Sequence, residues 1–209
     1  MVRYISIKLN LGCGNNYKPG YINIDKYNST IADQVCDTSN LSFDSCVVDL
    51  IEAFQLIEHF DYIQCKYVLS EWFRVLKPNG ILIIETPDLE ATYEKLINEG
   101  IDSQNKTLQW VFGIDSRGMD HKTGFTFTIL KNLLEEIGFE NILREKQQTH
   151  VYEHGLRIIC KKPEKYFGRQ LFACFRKRLR NNLQIPSSEH HSSSHQPVRL
   201  WKVLRVKTI

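Results

Sequence analysis

Short apolar runs alternate with stretches of helical spacing along the first 160 residues, the pattern of a mainly parallel sheet flanked by helices. Residues 5–11 read as a first strand that ends in the turn Gly12-Cys13-Gly14. Residues 21–24 form a short second strand stopping at Asp25, residues 32–36 a third stopping at Asp37, and residues 47–53 a fourth. Residues 61–77 then carry Ile63, Tyr67, Leu69, Trp72, Phe73 and Leu76 at helical intervals, and Pro78-Asn79-Gly80 stops the pattern. The run Ile81-Leu82-Ile83-Ile84 is apolar throughout, as a central parallel strand is.

Residues 89–98 look helical and close at Gly100, whereas residues 101–124 show no clear period. A short helix is expected over 129–137, with Gly138 in the C-terminal capping position. Residues 141–151 and 156–161 suit a closing antiparallel hairpin. Beyond it, residues 166–183 interleave Phe167, Leu171, Phe172, Phe175 and Leu179 with arginine and lysine, a basic amphipathic helix. Residues 185–197 are rich in Ser and His and read as a flexible linker. The expected organisation is therefore a domain over 1–162, a basic segment over 163–184 and a tail over 185–209.

Charge sharpens that boundary. Residues 1–160 hold 15 Lys and Arg against 22 Asp and Glu, and residues 161–209 hold 12 against 2. A basic amphipathic segment suits a solvated flank or attachment to an anionic membrane surface. Nucleic acid fits on charge alone, but no nucleic-acid module accompanies it and the acidic domain would repel a polyanion. The six cysteines include no C-x-x-C pair, which argues against a zinc site or a disulfide scaffold, and no metal is expected. No apolar run approaches the roughly 18 residues of a spanning helix, and the N-terminus lacks a signal-peptide pattern. A cytoplasmic protein, in places peripheral to the membrane, is the expectation.

Between Gly14 and the second strand only residues 15–20 remain, and Pro19-Gly20 breaks them, so a first crossover helix has little or no room. A dinucleotide fold needs that helix to hold its pyrophosphate and places its acidic residue about twenty residues on. Here Asp25 follows Gly12 by thirteen residues, and the third glycine of G-x-G-x-x-G is missing. A nicotinamide oxidoreductase is disfavoured accordingly. A nucleoside without phosphates, with glycine backbone on one side and a carboxylate on the other, suits the loop.

The segments Leu9-Asn10-Leu11-Gly12-Cys13-Gly14 and Pro19-Gly20-Tyr21-Ile22-Asn23-Ile24-Asp25 resemble a branch of the class I S-adenosylmethionine-dependent methyltransferases with a shortened first crossover. Gln55-Leu56-Ile57-Glu58-His59-Phe60, then 71–80, Thr86-Pro87-Asp88, His121-Lys122-Thr123-Gly124-Phe125-Thr126 and Glu136-Ile137-Gly138-Phe139 follow in the family's order. The resemblance implies a doubly wound, Rossmann-like α/β sheet of seven strands, mostly parallel with an antiparallel last strand. It implies S-adenosylmethionine along Gly12, Cys13 and Gly14, its ribose on Asp25, its adenine edged by Asp37 and Thr38, and Phe54 and Gln55 at its methionine end. His59 and His121 are the candidate catalytic residues, as bases for a hydroxyl acceptor. Glu58 reads as a structural residue in a helix's first turn, Arg74 and Lys77 as a solvated helix end, Cys13 as packing, and Trp110 and Phe112 as acceptor-pocket candidates. The acceptor is expected to be a small molecule or glycan. The competing reading is a non-catalytic cofactor-binding fold that serves as a partner or scaffold.

Overall fold

The computed structural model describes residues 6–116, 118–149, 154–165 and 169–185. Seven strands form one sheet: β1 (Lys8–Leu11), β2 (Ile22–Asp25), β3 (Gln34–Val35), β4 (Val48–Phe54), β5 (Leu76–Pro87), β6 (Glu140–Glu145) and β7 (Gly155–Lys161), in the order β3-β2-β1-β4-β5-β7-β6. The first five strands pair in parallel, while β7 is antiparallel to both β5 and β6. This is the expected Rossmann-like sheet. The order in which successive strands are added reverses at β1 and β4, and the crevice at their carboxyl ends is the place where open α/β sheets bind ligands. Leu9, Leu11, Ile51, Ala53, Leu82, Ile84, Leu156 and Ile158 are fully buried along the central strands.

The helices are α1 (Tyr62–Val75), α2 (Leu89–Asn98), α3 (Ile101–Phe112), α4 (Phe127–Ile137) and α5 (Arg169–Asn182). No helix lies between β1 and β2, as the short spacing requires. Polar side chains fasten that crossover instead. The buried Asn23 amide accepts from the Asn10 side chain and from Lys18 N–H, both at 2.8 Å, and donates to the Lys18 carbonyl at 3.1 Å. A buried asparagine pair in a sheet is stable only because these bonds satisfy it.

Four expectations need correction. The helix of 61–77 starts at Tyr62, because Asp61 and Gln64 form a capping box, so Glu58 lies outside its first turn in a separate 3-10 turn (Ile57–His59). Pro78-Asn79-Gly80 does not end the element: β5 already begins at Leu76 and bulges, since Val48 pairs with Leu76 and Leu50 with Ile81. The aperiodic stretch after 101 contains α3, which buries only Thr107 and leaves Ile101 and Phe112 exposed, so no apolar stripe marks it in the sequence. Arg74 is likewise no solvated end: it binds Glu71 at 2.7 Å and the Phe43 carbonyl at 2.8 Å.

Helix α4 ends at Gly138 in the left-handed conformation, as expected. Helix α5 docks on α1. Phe172 lies 5.1 Å from the Phe73 ring, Arg176 pairs with buried Glu71 at 2.7 Å, and Leu179 is buried. The apolar residues Phe172, Phe175 and Leu179 thus face the domain, leaving Lys177 and Arg178 exposed. The strand expected over 141–151 ends at Glu145, and residues 146–149 leave the sheet. The expectations for Phe167, for residues 150–151 and for the Ser/His-rich tail from 186 onward fall outside the described residues. Among the described residues, no helix is long and apolar enough to cross a membrane.

Candidate functional site

A cavity of about 1280 Å³ opens at the carboxyl ends of β1, β2, β3 and β4. Gly12, Cys13, Gly14, Asp25, Asp37, Thr38, Phe54, Gln55, His59 and His121 all line it. Every residue singled out from the sequence as a cofactor contact or a candidate base therefore lines the same space.

The floor is the turn after β1. Gly12 has φ +63°, and a Cβ there would meet Leu56 Cδ1 at 2.8 Å, so only glycine lets the backbone pass. Asp25 holds the turn from the neighbouring strand: its Oδ2 accepts from Gly14 N–H at 2.9 Å, and its Oδ1 from Tyr27 and Asn28 N–H at 2.7 and 2.8 Å. Each carboxylate oxygen can accept more than one bond, so Oδ2 keeps capacity toward the cavity. Asn28 also ties its own amide to the Gly14 carbonyl at 2.8 Å.

At the third strand's end, burial pushes the Asp37 carboxyl up, but bonds from Lys26 and from Ser39 outweigh it and hold the group below its ordinary value. Thr38 is fixed from beneath by core residue Trp72, whose indole N–H donates to the Thr38 carbonyl at 3.0 Å. Burial, then the charge of Asp25, raise the Cys13 thiol, which suits packing and not nucleophilic attack.

Beyond β4, Gln55 takes φ +51°, and its buried amide Nε2 has no partner among the described residues. A buried donor left unmade is costly, which marks it as a group awaiting a ligand acceptor. Phe54 beside it lies under the Lys18 ammonium, 3.9 Å from ring centre to nitrogen, and beside the Arg157 guanidinium at 5.0 Å.

The far wall comes from residues 113–122, which fold back on the 3-10 turn. Lys122 and Thr123 N–H donate to the Glu58 carbonyl at 2.8 and 3.1 Å. This brings the His59 and His121 rings edge to face, 5.0 Å between centres. His59 Nδ1 donates to the Asp120 carbonyl at 3.0 Å, and His121 Nδ1 to the Val111 carbonyl at 3.3 Å. Since a carbonyl only accepts, each neutral imidazole carries its proton on Nδ1 and its lone pair on Nε2. Burial, then His59, lower the affinity of His121 for a proton. Trp110 lines the cavity as expected, whereas Phe112 is exposed and does not.

Residues the sequence did not suggest also reach the cavity: Lys26, Asn28 and, from the end of α5, Leu183 and Ile185. The last two follow all four of these strands far along the chain, and no local spacing signals such a contact.

Residues 9–84 match the family model of a methyltransferase domain. Similar solved structures include a SAM-dependent methyltransferase of Archaeoglobus fulgidus, at 16% identity and TM-score 0.53, with 75% of this chain and 86% of that one covered. A SAM-dependent methyltransferase of Methanosarcina mazei is similar at 16% identity and TM-score 0.51, covering 78% and 95%. Human N-acetylserotonin methyltransferase, solved with SAM, shares 15% identity at TM-score 0.51, over 75% of this chain and 47% of that longer one. No curated protein matches the sequence. The family match, the strand order and the glycine-floored cavity agree: residues 9–84 match a methyltransferase domain, and the chain has the fold of the S-adenosylmethionine-dependent methyltransferases.

Proposed function

We propose that this enzyme methylates a hydroxyl of a small molecule or glycan. The observation that carries this reading is the His59–His121 pair, two imidazoles fixed by backbone carbonyls on the cavity wall beyond β4. When bound, S-adenosylmethionine supplies a sulfonium methyl group, which passes to a nucleophile as the carbon–sulfur bond breaks and the sulfur becomes a neutral thioether. The protein's task is to align that nucleophile and exclude water.

In this reading Gly12, Cys13 and Gly14 support the cofactor's ribose and amino-acid part, and Asp25 Oδ2 accepts from a ribose hydroxyl. Asp37 and Thr38 edge the adenine. Gln55 Nε2, buried and unpartnered, donates to the methionine end beside Phe54. An amine or carboxylate acceptor needs little proton removal, whereas an alcohol does, and imidazole is the side chain suited to it near neutral pH. The lowered proton affinity of His121 keeps that ring neutral and able to accept. The excess of acidic residues over 1–160 disfavours a polyanionic acceptor.

The test is incubation with methyl-labelled S-adenosylmethionine and separate pools of hydroxylated metabolites, oligosaccharides and RNA. Label in either of the first two pools, lost in the His59→Ala and His121→Ala variants, is the expected result. Label confined to RNA, or transfer unchanged by both substitutions, refutes the proposal.

A further inference from the structure

The Glu58 carboxylate has a place in the fold that methyl transfer by itself does not explain. It is 1% exposed, its Oε2 accepts from Thr86 Oγ1 at 2.9 Å, and its Oε1 is buried with no partner among the described residues. Among the described residues no lysine or arginine pairs with it. A buried carboxylate is ordinarily matched to a cation or to several donors. Around Glu58 stand His59 and His121, and one carboxylate oxygen and one nitrogen of each ring all lie within 4.8 Å of one another.

We propose that Glu58, His59 and His121 form a binding site for a divalent transition-metal ion whose open coordination position faces the cavity. Two imidazoles and one carboxylate are a donor set for zinc, manganese or ferrous iron, and three protein ligands leave room for water or substrate. Tetrahedral bonds of about 2.0–2.1 Å place ligand atoms roughly 3.4 Å apart, so the cluster closes by small side-chain rotations. The surrounding bonds are those of a ligand shell. Both Nδ1 atoms are held by carbonyls, at Asp120 and Val111, which orients the rings and leaves Nε2 as the coordinating nitrogen. The two chain segments are stitched together by Lys122 and Thr123 N–H on the Glu58 carbonyl and by Thr123 Oγ1 on the Phe60 carbonyl at 2.7 Å.

This inference rests on the methyl-transfer reading of the cavity and changes what the imidazoles do. As ligands they do not take the acceptor's proton. The ion binds the acceptor oxygen and lowers its pKa, and the proton leaves to solvent.

Full-length protein, stripped with a chelator and dialysed, is titrated calorimetrically with Zn²⁺, Mn²⁺ and Mg²⁺ in separate runs, and with S-adenosylhomocysteine. One saturable Zn²⁺ site is expected, with Mg²⁺ weaker because two donors are nitrogen. Glu58→Gln and His121→Gln should each weaken Zn²⁺ at least tenfold while S-adenosylhomocysteine still binds, which shows the variants folded. If Glu58→Gln does not fold, the partly exposed His121→Gln carries the test. Absence of saturable binding, or a Zn²⁺ isotherm that both substitutions leave unchanged, overturns the site. If no metal binds while S-adenosylhomocysteine does, the site is overturned and the proposed function, with the imidazoles as bases, stands. Failure of S-adenosylhomocysteine itself refutes the cofactor reading of the cavity and, with it, this site's role.

Discussion

Replacing Asp25 separates the turn support it gives from the cofactor contact proposed for it. In the free protein its carboxylate accepts three backbone N–H bonds, from Gly14 on one oxygen and from Tyr27 and Asn28 on the other. Asp25→Asn keeps an acceptor for the second pair but presents an amide donor to Gly14 N–H, so one bond is lost and two donors oppose each other. A half-buried unmade bond of this kind costs about 1–2 kcal/mol of stability. Asp25→Ala removes all three acceptors and is expected to cost more. For the cofactor, either change deletes the charge-assisted bonds to the ribose, worth about 1.5–3 kcal/mol, or roughly 10- to 150-fold in affinity. Denaturant unfolding and calorimetric titration with S-adenosylhomocysteine measure the two effects on the same samples. The expected outcome is a cooperative, modestly destabilised Asp25→Asn that binds at least tenfold more weakly. Affinity within threefold of the unsubstituted protein would remove Asp25 from the cofactor's site and leave it as a turn clamp.

Gly113 has φ +76° and ψ −162°, a region essentially restricted to glycine, and a Cβ would stand 2.1 Å from the Met119 carbonyl oxygen. Gly113→Ala should cost about 1–3 kcal/mol and displace the segment carrying His121, lowering transfer rate more than cofactor affinity; equal rates in a steady-state assay would contradict it. Phe172→Ala, which uncovers Phe73, should lower unfolding stability by about 1–3 kcal/mol, less than a fully buried ring because Phe172 is half-buried. Truncation after Lys165 is expected to leave a cooperatively folding domain with a lower denaturation midpoint, and loss of cooperativity would make α5 part of the core. Thiol labelling at pH 8 should reach exposed Cys174 first and spare Cys65, which is fully buried with its pKa pushed up to about 12, so that only about one molecule in ten thousand is thiolate. Rapid labelling of Cys65 in the folded protein would show that α1 opens.

The succession of strands along the chain, the helix-free first crossover and the cavity-lining residues Gly12, Gly14, Asp25 and Asp37 were legible in the chain itself. Each depends on local spacing: a two-glycine turn directly after an apolar run, then a carboxylate at the end of the next short run. Helix α3 was not legible, because it turns little apolar surface inward and hydrophobic period is the signal by which helices are read. Nor was the bulged start of β5, where pairing with Val48 overrides the breaker residues Pro78 and Gly80.

The reach of α5 to the cavity through Leu183 and Ile185 depends on packing between distant elements, which periodicity does not encode. The same holds for Glu58. In the sequence it reads as an acid that begins a helix; the capping box at Asp61 starts that helix three residues later and leaves Glu58 turned inward. His59 and His121 were each visible as candidate bases, but their meeting at 5.0 Å is decided by backbone bonds from Lys122 and Thr123 to Glu58. Local spacing determined the fold and the cofactor loop. Only the tertiary structure brought three separate polar groups to one point, because burial and mutual distance belong to the folded chain and to no segment of it.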